Sequence, residues 1–207
     1  MDLRAVYDRQ ANAWDAARAG SRMEEGWLSR VTRGLCPGAA VLDIGCGSGV
    51  PVAAWLAARG FSITGVDFSS AMIGLARKRL PQASWIEADM RSLDLGRRYA
   101  AVIAWDSFFH LSAPDQRAMI PIFAAHLSPG GRLLFTSGPD AGQAIGTVGG
   151  EPVCHSSLSP EEYRAQLAAN GLRVLAFRPE DPDCGGHSVW LAEAESTRGQ
   201  AAGRARA

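Results

Sequence analysis

Between Ala40 and Ala194 apolar runs of strand length alternate with stretches of helical period. That alternation restricts the chain to a largely parallel sheet covered by helices on both faces. Strands are predicted over Ala40–Gly45, Phe61–Asp67, Ser84–Asp89, Ala100–Asp106, Arg132–Ser137, Arg173–Arg178 and Ser188–Ala194. Helices are predicted over Gly49–Arg59, Ser69–Leu80, Pro114–Leu127 and Pro160–Asn170. The last interval departs from the series. Only Pro179 to Gly186 separate the final two strands, whereas a parallel crossover takes about a dozen residues or more, so this pair must run antiparallel.

Ahead of the first strand, Leu3, Tyr7, Ala11 and Trp14 recur at helical spacing, and Met23, Trp27, Leu28 and Val31 do so again after Gly20-Ser21. The chain of 207 residues is expected to form one domain over 1–194, with a helical cover at 1–38 and an α/β core at 39–194. The polar, Arg-rich stretch 195–207 is expected to fray. Acidic and basic residues balance at 21 each, which gives no long-range field to gather a polyanion, so neither nucleic acid nor an anionic membrane is an expected partner. The start MDLRAVYDRQ lacks a signal-peptide pattern and no 18-residue apolar run is present, so a cytoplasmic location is expected. Cys36, Cys46, Cys154 and Cys184 are too scattered for a disulfide scaffold and read as free thiols.

The segment Val41-Leu42-Asp43-Ile44-Gly45-Cys46-Gly47-Ser48-Gly49 sets three glycines where the first strand turns into a helix, the place at which open α/β sheets hold ligands. In a dinucleotide fingerprint the third glycine would fall at position 50, which is Val50. The carboxylate of Asp43 at the mouth of this loop would repel a pyrophosphate and suits a cation such as an ammonium. Asp67, 22 residues after Gly45, ends the second strand, where it can accept hydrogen bonds from ribose hydroxyls. That alone leaves NAD and S-adenosylmethionine both open. Asp89 and Met90 close the third strand, an acid for an exocyclic amine beside a thioether for a ring. Each acid taken singly could be a helix cap. Together with the glycines they converge on one crevice.

From about Val41 to Ser137 the sequence resembles the class I S-adenosylmethionine-dependent methyltransferase family, and Leu127-Ser128-Pro129-Gly130-Gly131-Arg132-Leu133 looks like that family's turn before the fifth strand. The resemblance implies a Rossmann-like, doubly wound α/β sheet of seven strands, the last antiparallel, with two N-terminal helices added. It implies S-adenosyl-L-methionine as cofactor and assigns its contacts to Asp43, Gly45, Cys46, Gly47, Gly49, Asp67, Phe68, Asp89, Met90 and Trp105. The activity implied is methyl transfer to a small-molecule acceptor. A protein or RNA methyltransferase, a non-catalytic S-adenosylmethionine sensor and an NAD oxidoreductase are the alternatives.

The acceptor side is expected after the fourth strand, in Ala104-Trp105-Asp106-Ser107-Phe108-Phe109-His110-Leu111. It lacks the Asn/Asp-Pro-Pro-aromatic tetrad of nucleic-acid amino methyltransferases. His110 and Asp106 are the candidate catalytic residues, able to orient or deprotonate an acceptor. The bland readings are a backbone-satisfied histidine and a capping aspartate, and Trp105, Phe108 and Phe109 suit a core as well as a pocket wall. Gly138–Ser157 reads as a long lid or binding loop. Its Cys154-His155 pair, with Cys184 and His187 further on, lacks zinc-site spacing, so no metal is expected. Tyr7 and Trp14 share a helix face and are candidates to close over the crevice.

Overall fold

The structure, a computed structural model, describes residues 2–196. Its elements in chain order are α1 (Leu3–Arg18), α2 (Glu25–Val31), β1 (Ala40–Ile44), α3 (Val52–Ala57), β2 (Ser62–Asp67), α4 (Ser70–Arg79), β3 (Ser84–Glu87) and β4 (Tyr99–Ala104). Then come α5 (Ala113–Ala125), β5 (Leu127–Ser137), β6 (Gly142–Val148), β7 (Glu151–Ser157), α6 (Pro160–Ala169), β8 (Leu172–Asp181) and β9 (His187–Ala194). Of the predicted tail, everything from residue 197 onward lies outside the described residues.

Helix starts follow local chemistry. The side chains of Asp2, Ser69, Ser112 and Ser159 each accept a hydrogen bond from a backbone N–H of the first turn of α1, α4, α5 and α6. Pro114 and Pro160 sit in the first turns of α5 and α6, where a missing N–H leaves nothing unsatisfied. The central strands β1 and β4 are apolar almost throughout, as strands covered on both faces require.

The seven-stranded sheet runs β3-β2-β1-β4-β5-β9-β8. All pairs are parallel except those of β9, which runs antiparallel to both β5 and β8, in agreement with the short final interval. Strand order reverses between β1 and β4, so the crevice for a ligand opens past the C-terminal ends of those two strands. One core cluster centres on Phe108, Phe123, Phe135, Tyr163 and Trp190, and another on Trp27, Leu56, Ile73 and Trp85.

The expected lid over Gly138–Ser157 is instead the hairpin β6–β7, a separate two-stranded sheet. Gly149 and Gly150, both at positive φ, make its two-residue turn, and that Gly-Gly pair was the sequence signal for it. Val148 and Val153 of the hairpin pack with Val6, Tyr7 and Ala11 of α1. Thus α1 lies between the hairpin and α4. It covers the crevice rather than extending the sheet.

Candidate functional site

A cavity of about 510 Å³ opens at the switch point, within the range of about 300–1,000 Å³ usual for small-molecule sites. Its floor is the turn after β1. The Gly45 and Cys46 N–H groups both donate to the Val66 carbonyl, at 2.7 and 3.0 Å, which ties the turn to β2. Gly45 is at φ 74°, and a Cβ there would stand 2.2 Å from the Ser107 Cβ. Glycine is required at 45 because the segment after β4 closes directly onto it.

Asp43 is buried at 1% exposure, lines the cavity, and has one carboxylate oxygen with no hydrogen-bond partner. Burial, reinforced by the nearby Asp67 carboxylate, pushes its pKa up to about 8. Asp67 is equally enclosed, but its two oxygens accept from the N–H groups of Gly47 and Ser69, both at 2.9 Å. Burial raises its pKa to about 6, and those two bonds oppose the rise. Six aspartates and three arginines line the cavity, an acidic excess that favours a cationic ligand.

Of the predicted contacts, Asp43, Gly45, Cys46, Gly47, Asp67, Phe68, Asp89, Met90 and Trp105 all line this one cavity. Gly49 does not. At φ 82° its α-carbon backs onto the Trp85 indole, 3.1 Å from where a Cβ would sit, so this glycine serves helix-to-sheet packing. Asp89 sits on the rim past the end of β3, its side chain 44% exposed, with both oxygens bonded to Arg91, whose guanidinium holds the carboxyl below its ordinary range.

On the far wall, His110 closes a short helical turn after β4. Its Nδ1 lies 3.2 Å from the Cys154 carbonyl, which can only accept, so Nδ1 carries the hydrogen. Burial lowers the ring's pKa to about 4, leaving a neutral imidazole whose Nε2 accepts from the Tyr7 hydroxyl at 2.8 Å. Trp14 lines the same cavity, so both α1 aromatics do close over it. The partnership of Tyr7 with His110, 103 residues apart, could not be read from the sequence. No local spacing encodes it.

Asp106 is not a free acid. It lies in the left-handed region at φ 49°, with one oxygen 3.0 Å from Arg18 of α1 and the other 2.8 Å from His187 Nε2. The Cys and His residues of the hairpin and the final turn do not gather. Cys154 and His155 lie on β7, the Cys184 thiol donates to the Met23 carbonyl, and no group of three or more His, Cys, Asp or Glu side chains is placed to hold a metal ion among the described residues.

Further polar ties lock α1 to the crevice. Arg4 donates to the Phe68 carbonyl at 2.6 Å, Ser69 Oγ donates to Asp8 at 2.5 Å, and Arg79 pairs with Asp15 at 2.7 Å while donating to the Ser48 carbonyl.

A family profile described as a methyltransferase domain matches residues 41–131. The chain is 35% identical over 152 residues to a dTDP-3-amino-3,6-dideoxy-alpha-D-glucopyranose N,N-dimethyltransferase of Streptomyces fradiae, covering 67% of this chain and 58% of that one. It is also 35% identical over 116 residues to a trans-aconitate 2-methyltransferase of Azoarcus sp. (strain BH72), covering 52% and 42%. The chain spans about half the length of the curated relatives it matches. Among solved structures it is similar to the CcbJ methyltransferase of Streptomyces caelestis, with TM-score 0.74, 20% identity, and coverage of 92% and 98%. It is similar also to CalS10, an amino pentose methyltransferase from Micromonospora echinaspora, with TM-score 0.69, 22% identity, and coverage of 87% and 96%. Residues 41–131 thus match the methyltransferase-domain family, and the seven-stranded fold is similar to that of solved methyltransferases.

Proposed function

We propose that this protein binds S-adenosyl-L-methionine in the cavity and transfers its methyl group to a small-molecule acceptor. The observation that carries this reading is the buried Asp43 carboxylate, which lines the cavity with an oxygen left unpartnered. Burial leaves this acid largely protonated at neutral pH in the ligand-free protein, and a cation beside it restores the charged form; the ammonium of a methionine moiety supplies one. The remaining residues fit the same ligand. Asp67 retains acceptor capacity for ribose hydroxyls beyond its two backbone bonds, and Phe68 and Met90 offer apolar surface to a purine.

When bound, the cofactor supplies an electrophilic methyl carbon on a sulfonium, and displacement there needs an aligned nucleophile in a dry site. This chain's part is enclosure and orientation. Tyr7, Trp14 and Arg18 of α1 close one side, while His110 and Asp106, the candidate catalytic residues, present polar atoms to the acceptor from the other. His110 is neutral at physiological pH and its Nε2 is already engaged by Tyr7, so it orients the Tyr7 hydroxyl more readily than it takes a proton.

The acidic lining and the enclosure by α1 favour a small acceptor over RNA, whose phosphates would meet like charge. The relatives' names make a nucleotide-linked amino sugar and trans-aconitate the first probes. Incubation with S-adenosylmethionine and a panel of small amines and carboxylates should release S-adenosylhomocysteine, detected by chromatography. Turnover confined to protein or RNA acceptors, or binding with no turnover of any acceptor, would overturn the small-molecule reading.

A further inference from the structure

Outside the cavity lining, at the start of β9, His187 makes the second of the two charged contacts to Asp106. Both of its ring nitrogens face oxygens. Nδ1 is 2.7 Å from the Cys184 carbonyl and Nε2 is 2.8 Å from Asp106 Oδ1. Nδ1 donates to the carbonyl, while Nε2 stands at ion-pairing distance from a buried carboxylate oxygen that has no aligned donor, an approach that a hydrogen on Nε2 makes favourable. The one other arrangement, a proton on Asp106 and a neutral ring, is opposed by the Arg18 guanidinium 3.0 Å from the other carboxylate oxygen.

We propose that His187 is a positioning residue: as an imidazolium it holds the Asp106 carboxylate against Arg18 and so fixes the charged wall of the cavity.

The surroundings support that role. Asp106 keeps a left-handed backbone conformation unusual for a residue with a side chain, and such strain persists only where the neighbours fix it from several sides. Here its N–H donates to Thr136 Oγ1 at 3.0 Å, Arg18 holds one carboxylate oxygen and His187 the other. The groups facing His187 come from every adjoining element. Asp106 follows β4, Arg18 belongs to α1 and is also paired with the buried Glu24 ahead of α2, and Cys184 sits in the turn before β9 with its thiol pushed up to about 12 by burial. Asp181, at the end of β8, is taken up by the Trp27 indole N–H at 2.9 Å. Arg18 and His187 thus face Asp106 and Glu24, while Asp181 also has Arg178 within 3.9 Å. The His187 ring also stacks on Trp105, centroids 5.9 Å apart at 27°, an arrangement that favours a cationic ring. The contact with Asp106 raises the His187 pKa, so the cationic form is lost only as pH rises through that raised value.

Nitrogen NMR of the histidine rings tests the protonation directly, with His187→Gln to assign the signal. Both nitrogens should be protonated at neutral pH, and the midpoint should fall by about one unit in Asp106→Asn. A singly protonated ring at neutral pH, or a midpoint indifferent to Asp106→Asn, would overturn the proposal. The functional arm rests on the methyltransferase reading and uses S-adenosylhomocysteine as probe. The ratio of wild-type to His187→Gln affinity should fall about threefold to tenfold as pH rises through the His187 midpoint, because the glutamine amide still donates to Asp106 but does not titrate. A ratio flat with pH would overturn the positioning role. Failure of both proteins to bind the probe at any pH would count against the cofactor reading and leave the NMR result to decide the protonation.

Discussion

The Tyr7 hydroxyl donates to His110 Nε2 across 2.8 Å, joining the helix that covers the cavity to the segment after β4 that faces the acceptor. Burial acts on both partners in the direction of neutrality, raising the Tyr7 pKa and lowering that of His110 to about 4.

A folded-state pKa of about 4 has a definite pH signature. With cofactor saturating, turnover should stay level as pH falls through the ordinary imidazole range and decline only near pH 4. Stability should behave differently. The unfolded ring titrates near about 6.5, so between the two values the unfolded chain binds more protons, and stability falls as pH drops through that window. His110→Ala should mainly raise the acceptor KM, with turnover reduced less than about tenfold, since a ring this weakly basic positions rather than deprotonates. A loss of about 10²-fold or more in turnover, with an acid limb near the ordinary imidazole pKa, would restore His110 as general base.

Asp43→Asn should separate stability from binding. With its pKa raised to about 8, the buried acid costs stability as pH rises from the ordinary carboxylate range toward that value. In the ligand-free protein at pH 8 the asparagine variant should therefore melt higher, by about 2–4 °C per kcal/mol relieved. It should bind S-adenosylhomocysteine more weakly, having lost the counterion for the ammonium. A variant that melts lower and binds unchanged would remove Asp43 from the site.

Gly49→Ala should damage the fold more than the ligand site. The added methyl would meet the Trp85 ring at 3.1 Å in a backbone conformation, φ 82°, that disfavours any side chain. Denaturant unfolding should show a loss of about 1–3 kcal/mol, with ligand affinity of the folded fraction retained. Equal stability with lost binding would return Gly49 to the cofactor site.

The sheet was legible because its order follows from alternation and from one loop length, Pro179 to Gly186, both local properties. The glycine loop and Asp43, Asp67 and Met90 were legible because each lies at or just past a strand end, and strand ends in such a sheet share one edge. What local pattern does not carry is the partner of each polar group. Asp106 was read as a candidate base, but Arg18 and His187, far away in the chain, occupy both of its oxygens. Gly49 was grouped with its neighbours by motif, although its reason for being glycine is an indole contributed by β3. The β6–β7 hairpin was read as a loop because β6 is mostly small and polar, with Ile145 and Val148 its one pair of large apolar residues, and the Gly149-Gly150 turn is its one clear signal.

The central claim is that this crevice holds the nucleoside and methionine halves of S-adenosylmethionine, and calorimetric titration with S-adenosylhomocysteine tests it most directly. One molecule should bind per chain, and Asp67→Ala should weaken binding by about 1.5–3 kcal/mol by removing the acceptor of the ribose hydroxyls. NADH should not compete. Tight binding of NADH with none of S-adenosylhomocysteine, or an affinity unchanged in Asp67→Ala, would contradict the account.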